Sequence, residues 1–352
     1  MKKFGKTIVL NFVFIIILSQ QVFALEIVSD AVFVRIIDTG PGLATVTRMP
    51  GDFYMVYDAG HWHGKNETMA GIASVIPDGE SIDLLIVSHS DSDHLAAVKQ
   101  ILNKYKVNTV IYGGLERTTT NWKQANAEIN KAGASGRSKV INLKHDELHI
   151  GSTFFFKDTL VTFVSGFYTP PDHWNIDSDS EFKNAGSIII RLSYHDKSIL
   201  FTGDAVGRHI GDPSEALRAT EKFIVNNKNA IKINSDVLIA PHHGADNANS
   251  TEFIKAVSPE WVIFSAGHKY GHPLKVVAQR YLNFGVNINN IFRTDLGDDE
   301  NRTDKPFDYM GNKEWDYGKI KGHKDLKGDD DIDILIHSDG TVKVEYRLKS
   351  IY

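Results

Sequence analysis

The chain has 352 residues, with 39 Lys and Arg against 44 Asp and Glu, a formal net charge of −5 and no cysteine. That balance leaves no basic block long enough to track a phosphate backbone, which disfavours non-specific nucleic-acid binding. The missing cysteine excludes disulfides, a lipid-modified cysteine anchor and thiolate metal sites, so any metal must be held by nitrogen and oxygen.

The first element in chain order, "MKKFGKTIVLNFVFIIILSQQVFA", has lysines at 2, 3 and 6, an apolar core from Ile8 to Leu18 and a small residue at Ala24. It reads as a secretory signal peptide over residues 1–24, which makes residues 25–352 a secreted or periplasmic protein with no stable membrane association after cleavage. Loss of Lys2, Lys3 and Lys6 takes the formal charge from −5 to −8. The runs "AVFVRIID" (31–38), "LATVTRM" (43–49) and "DFYMVYDAG" (52–60) are then predicted as a β-meander turning at "TGPG" and "MPGD". "IDLLIVSH" is a continuous apolar run suited to a strand buried on both faces, followed by "HLAAVKQILNKY" with helical spacing, the strand "VNTVIYGG" and the helix "TNWKQANAEINKAG", ended by a glycine.

The theme repeats. "STFFFKDTLVTFVSG" is β-rich, "SIIIRLSYHDKSILFTGD" is a hairpin turning at "YHDK", and "DPSEALRATEKFIVNN" reads as a helix capped by Asp212. "DVLIAPHHG" and "PEWVIFSAG" are two more buried strands with the helix "TEFIKAV" between them, and "IDILIHSDGTVKVEY" closes the chain as a hairpin turning at "SDG". Two similar halves of mixed sheet with helices outside predict an α/β fold, an αββα four-layer sandwich. Residues 297–331 have neither hydrophobic period, as expected of an irregular insertion or lid on the domain of residues 25–352.

The stretch "SHSDSDH" crowds His89, Asp91, Asp93 and His94 directly behind the strand that ends at Val87. A solvated turn with an Asp N-cap explains Asp93 alone and leaves the histidines unexplained, whereas short side chains at this spacing can converge on metal ions. Two ions need further ligands, and the polar ends of other buried strands offer them: Asp204 after "SILFTG", and His242 and His243 in "PHHG".

These residues resemble the metallo-β-lactamase superfamily, and within it the C-terminal hydrolase domain of ComEC-type DNA-uptake channels. The pieces that carry the likeness are "IIDTGPGLATV", "YDAG", "SHSDSDH", "NAGSIIIRL", "TGD", "PHHG", "SAGHKYGHP", "FRTD" and "SDGTVKV", in the family's order. The resemblance implies a first ion on His89 and Asp91 and a second on Asp93 and His94. Asp204 would bridge the two and His243 complete the second. Asp58 of "YDAG" would orient a ligand histidine. His242 would contact substrate or donate a proton, and Asp93, His242 and His272 of "YGHP" are the catalytic candidates. The sequence departs from the family at Asp91, where a histidine is usual, at "GPGLA", where "GQGDA" is common, and between the halves, where His173 is the candidate for a further histidine ligand. His61, His63 and His268 are further cleft candidates.

Two divalent ions, zinc first and manganese second, would share a bridging hydroxide for hydrolysis without a covalent intermediate. The expected enzyme is a binuclear hydrolase of ester bonds, a phosphodiesterase with nuclease-like action included. Its substrate would be a small-molecule or polymer-linked phosphodiester, DNA being disfavoured by the acidic charge. The rivals are a phosphorylcholine esterase using Phe307, Tyr309, Trp315 and Tyr317 as a choline cage, a lactone or β-lactam hydrolase, and a binding protein on a degenerate hydrolase fold, against which the full ligand set argues.

Overall fold

The computed structural model of the protein describes residues 28–145, 148–176, 178–267, 270–294, 315 and 330–347. The expected signal peptide, His268 and, apart from Trp315, Asp330 and Asp331, the expected insertion lie outside them. Among the described residues no helix is long and apolar enough to cross a membrane.

Among the described residues fifteen strands form two sheets. The first contains β1 (Ala31–Ile36), β2 (Ala44–Met49), β3 (Phe53–Ala59), β4 (Ile82–Val87), β5 (Val107–Tyr112), β6 (Lys139–Asn142) and the closing hairpin β14 (Ile332–His337) and β15 (Val342–Tyr346), in the order β15-β14-β1-β2-β3-β4-β5-β6. The second contains β7 (Thr153–Phe156), β8 (Thr159–Ser165), β9 (Ile189–Tyr194), β10 (Lys197–Phe201), β11 (Val237–Ile239), β12 (Trp261–Phe264) and β13 (Ile291–Arg293), in the reverse of chain order. Each sheet is antiparallel in one part and parallel in the other. β3 to β6 and β10 to β13 are the parallel runs, and both need crossover connections.

The expected αββα sandwich is what forms. Val34, Ile36, Met55, Leu84 and Ile86 of the first sheet pack against Val161, Phe163, Ile190, Ile199 and Ile239 of the second in one apolar layer. The outer face of the first sheet is covered by α1 (Lys65–Ala73), α3 (Val98–Lys104) and α4 (Thr120–Ala134), that of the second by α6 (Ala219–Asn226), α7 (Thr251–Val257) and α8 (Lys275–Phe284), and α5 (Asp179–Ala185) precedes β9. Alternate residues of each strand therefore face two different cores, which is why these strands read as unbroken apolar runs. In α4, Thr119 caps the amide of Trp122, and Trp122, Ala125, Ile129 and Ala132 form the buried stripe.

Three boundaries differ from the sequence reading. The helix expected over 94–105 is two, α2 (Ser92–Leu95) and α3, because the Ala96 and Ala97 amides donate to Gly60 O at 3.2 Å and Ala59 O at 3.0 Å instead of to their own helix. The helix expected from Asp212 starts only at Ala219. Its first turn is held by the Glu221 amide on Val206 O, while Asp212 accepts from the His209 amide in the preceding loop. α4 runs one residue past the glycine expected to end it.

The closing hairpin is locked onto β1 by charge as well as by register. Arg35 donates to both carboxylate oxygens of Asp333, at 2.7 and 2.6 Å, with both side chains buried and Asp331 3.9 Å away. Replacing the cation alone strands the buried Asp333 carboxylate, while Asp331 keeps Arg347 at 3.4 Å, so Arg35→Leu is expected to lose about 3–5 kcal/mol in urea unfolding. A loss below ~1 kcal/mol would mean that the strand pairing, not the ion pair, holds the hairpin.

Candidate metal centre

The residues singled out behind the apolar runs meet at one edge of the sandwich, because the parallel strands of both sheets end there. Asp58 is the penultimate residue of β3, His89 and Asp91 follow β4, and Asp93 and His94 lie on α2. Asp204 follows β10, His242 and His243 follow β11, and Ser265 follows β12. Several of these turns are strained. Asp58, His242 and His243 have φ of 60°, 50° and 54°, conformations that L-residues adopt at a cost of about 1–3 kcal/mol each unless the surroundings impose them. Gly203 has φ of 51°, and a Cβ there would lie 2.7 Å from Ser88 Cβ, so the turn that delivers Asp204 requires glycine.

Asp58 is fully buried and organises the first sheet's contribution. Its carboxylate accepts from the Ser88 amide at 2.6 Å and the Ser88 hydroxyl at 2.7 Å, and lies 2.7 Å from His94 Nδ1. His94 therefore carries its ring proton on Nδ1 and turns Nε2 inward. The Ser88 hydroxyl, having donated to Asp58, has a lone pair for His89 Nδ1–H at 3.0 Å, which turns His89 Nε2 inward as well. From the second sheet, His243 Nδ1 donates to Ser265 O at 2.5 Å and leaves its Nε2 facing His94 Nε2 across 3.2 Å.

Between these rings stands Asp204, with its two carboxylate oxygens facing opposite ways. Oδ1 is 3.1 Å from His94 Nε2 and 3.5 Å from His243 Nε2, while Oδ2 is 3.9 Å from His89 Nε2 and 3.8 Å from His242 Nε2. His89, His94 and Asp204 form one buried group whose ligand atoms lie within 4.8 Å of one another, and Asp93, His94 and His243 form a second. His89 Nε2 and Asp204 Oδ1 are buried without a hydrogen-bond partner. Lone pairs aimed at each other at such distances repel, and the donor set of imidazole and carboxylate fits a divalent cation between them. Without a cation the site retains a proton. Burial lowers the His94 pKa, but Asp204 and Asp58 outweigh it and raise the group well above the ordinary histidine range. Burial and the neighbouring His94 lower His89 to about 4. Burial would raise Asp204, but His94, His243 and His242 hold it well below the usual carboxylate range.

The other candidates lie at graded distances. Asp93 Oδ2 is 3.9 Å from His243 Nε2. Asp91 is 3.8 Å from His89 Nε2 but pairs with Arg117 at 2.9 Å, so it borders the first group without belonging to it. His242 donates from Nδ1 to Asn247 Oδ1 at 2.7 Å, and its Nε2 accepts from Asn184 Nδ2 at 3.2 Å. The His272 ring stands 6.1 Å from that of His242. His61 and His63 pack with Trp62 rather than in either ligand group. His173 is brought to neither group and lines a separate cavity. Arg117 and Asn247 were not singled out by the sequence, and Ser88, Asn184 and Ser265 opened quoted motifs without a role of their own. The role of each exists only once the strand ends meet.

Residues 37–181 match the family model of the metallo-beta-lactamase superfamily. Over those residues the chain is similar to that superfamily. Competence protein ComA of Neisseria gonorrhoeae is 30% identical over 132 residues, 37% of this chain and 16% of that protein. ComE operon protein 3 of Bacillus subtilis (strain 168) is 25% identical over 222 residues, 61% of this chain and 24% of that protein. The match thus spans a quarter or less of these relatives' own length. Among solved structures, the diiron β-hydroxylase CmlA of Streptomyces venezuelae is similar with a TM-score of 0.44 at 11% identity, over 75% of this chain and 52% of that one. The metallo-β-lactamase superfamily implies divalent-metal binding, for which this domain's edge supplies the buried His and Asp groups.

The Asp58 carboxylate is a positioning group, and its replacement tests that role. Asp58→Asn keeps the shape but weakens the hold on His94 Nδ1–H, so affinity for zinc, read by competition with a chromogenic chelator, is expected to fall about 10–100-fold. Unchanged affinity would show that His94 is oriented by packing alone.

Proposed function

We propose that this domain hydrolyses phosphodiester bonds with two divalent ions. The observation that carries the proposal is the splitting of the two Asp204 oxygens between opposite groups of histidines. A ring nitrogen has one inward lone pair, so His94 can serve one ion only. Asp93, His94, His243 and Asp204 Oδ1 would hold one ion. His89 and Asp204 Oδ2 would hold the other, with Asp91 at its margin. Zinc is the first choice for this set, and manganese the second, because the carboxylates are hard oxygen donors. When bound, the ions would supply Lewis acidity and a water nucleophilic near neutral pH.

The chain's own groups do the rest. Asp58 and Ser265 O fix two ring tautomers, so no reorganisation is needed when substrate arrives. His242 sits beside the second oxygen of Asp204, held by Asn247 and by the amide of Asn184. Rotation of that amide would offer Oδ1, buried without a partner, to a protonated Nε2, so Asn184 can support His242 both before and after it transfers a proton to a leaving oxygen. Arg117, paired with Asp91 and 3.7 Å from Asp179, is a partly exposed cation at the rim, where it can meet an anionic phosphoryl oxygen.

The likeness to competence proteins, and to the hydrolase domain of ComEC-type channels, supports a phosphodiester over a lactone or β-lactam. The choline-cage reading loses Trp315, which is buried against Phe264 with its amide on Pro273 O at 2.8 Å. Phe307, Tyr309 and Tyr317 lie outside the described residues. An exported setting accords with the signal-like residues 1–24.

With bis-p-nitrophenyl phosphate as substrate, Asp204→Ala is expected to lower kcat/KM by about 10² or more, since Asp204 would touch both ions, and His173→Ala is expected to leave it near wild type. Rising salt should change the KM for this small substrate little and inhibit DNA cleavage steeply, because a chain of net charge −5 has to hold a polyanion through local contacts. Equal activity in the two variants would overturn the ligand set. Fast DNA cleavage at physiological salt with no turnover of the small diester would overturn the substrate size.

A further inference from the structure

The segment around His173, which supplies no ligand to the metal centre, forms one wall of a cavity of about 330 Å³. Small-ligand sites begin at roughly this size. The Trp174 indole is held edge-on by Phe167 at 5.2 Å and lies 5.9 Å from Phe223, which shares the wall. Two cations face the same space. Arg218 is anchored by Asn175 O at 2.8 Å and touches His209, and Lys222 is exposed with no ion-pair partner among the described residues. No Asp or Glu lines the cavity among the described residues, in a chain that carries 44 of them. Among the described residues Arg218 pairs with Glu181, 4.0 Å away, which accepts from Asn247 at 3.2 Å, and Asn247 accepts in turn from His242. The cavity is therefore three side chains from the metal centre.

An aromatic face, two cations and the neutral amides of Asn175 and Asn226 suit a ligand with a flat ring and an anionic group. They do not suit a quaternary ammonium, which needs aromatic faces without cations. We propose that this cavity binds the nucleotide unit next to the scissile phosphodiester, its base against Trp174 and its phosphate between Arg218 and Lys222. The identity of the substrate rests on the phosphodiester reading, whereas the binding rests on the cavity alone.

Calorimetric titration of the full chain separates the two. Adenosine 5′-monophosphate is expected to bind at least about tenfold more tightly than either adenosine or inorganic phosphate, since only it fills both parts of the cavity. Lys222→Glu, a surface change that leaves the core untouched, should weaken the nucleotide roughly tenfold or more and leave adenosine unaffected. Trp174→Ala should weaken both. Asp204→Asn, which disables the metal centre, should leave nucleotide affinity as it is, so that failure of the hydrolysis reading would not disturb this result. Affinity that falls in Asp204→Asn and stays constant in Lys222→Glu and Trp174→Ala would place the nucleotide on the metals and overturn the proposal, as would the absence of nucleotide binding.

Discussion

A buried carboxylate with three claims on it, the Asp58 side chain holding the Ser88 amide, the Ser88 hydroxyl and the His94 ring, sets the geometry of the whole centre. Ser88 passes the orientation on to His89, so one acid fixes two imidazoles. The acid reaches that point only because Asp58, next to last in β3, is itself left-handed, and because the amides of Ala96 and Ala97 tie the chain after α2 to the end of the same strand. The stability given up in strained backbone and broken helix is returned as a fixed pair of inward lone pairs.

The second sheet mirrors this arrangement with different chemistry. Backbone carbonyl replaces carboxylate as the partner of His243, and the glycine-delivered Asp204 crosses to the histidines of the first sheet. Ser265 completes the tie between halves, its hydroxyl donating to Gly42 O at 2.7 Å while its carbonyl holds His243. The apolar layer between the sheets sets the distance across which these groups meet, so packing and site geometry are one constraint.

Much of this was legible in the sequence because two-sided burial leaves a strong mark. Apolar runs predicted β4, β10, β11 and β12, the polar residues just past β4, β10 and β11 predicted His89, His94, Asp204 and the histidine pair, and the turns at "YHDK" and "SDG" fell where expected. What failed depended on contacts distant in sequence. Nothing local shows that the amides of Ala96 and Ala97 would leave the helix for β3, or that Asp212 would serve a loop seven residues before α6. The family resemblance suggested His173, between the halves, as a further ligand, yet the turn of its proline-rich segment carries that ring to the cavity beside Trp174. Arg117 was invisible for a related reason, since a lone arginine in a loop acquires meaning only from the Asp91 it meets.

The central claim is that the opposed histidine groups, joined through Asp204, hold two separate ions. Elemental analysis of zinc-loaded protein after exhaustive dialysis tests it most directly. The account predicts two ions per chain in the wild type and one in each of His89→Ala and His243→Ala, because each substitution empties one side and leaves the ligands of the other intact. A single ion in the wild type, lost entirely in both variants, would contradict it and show that the two groups are one mononuclear site.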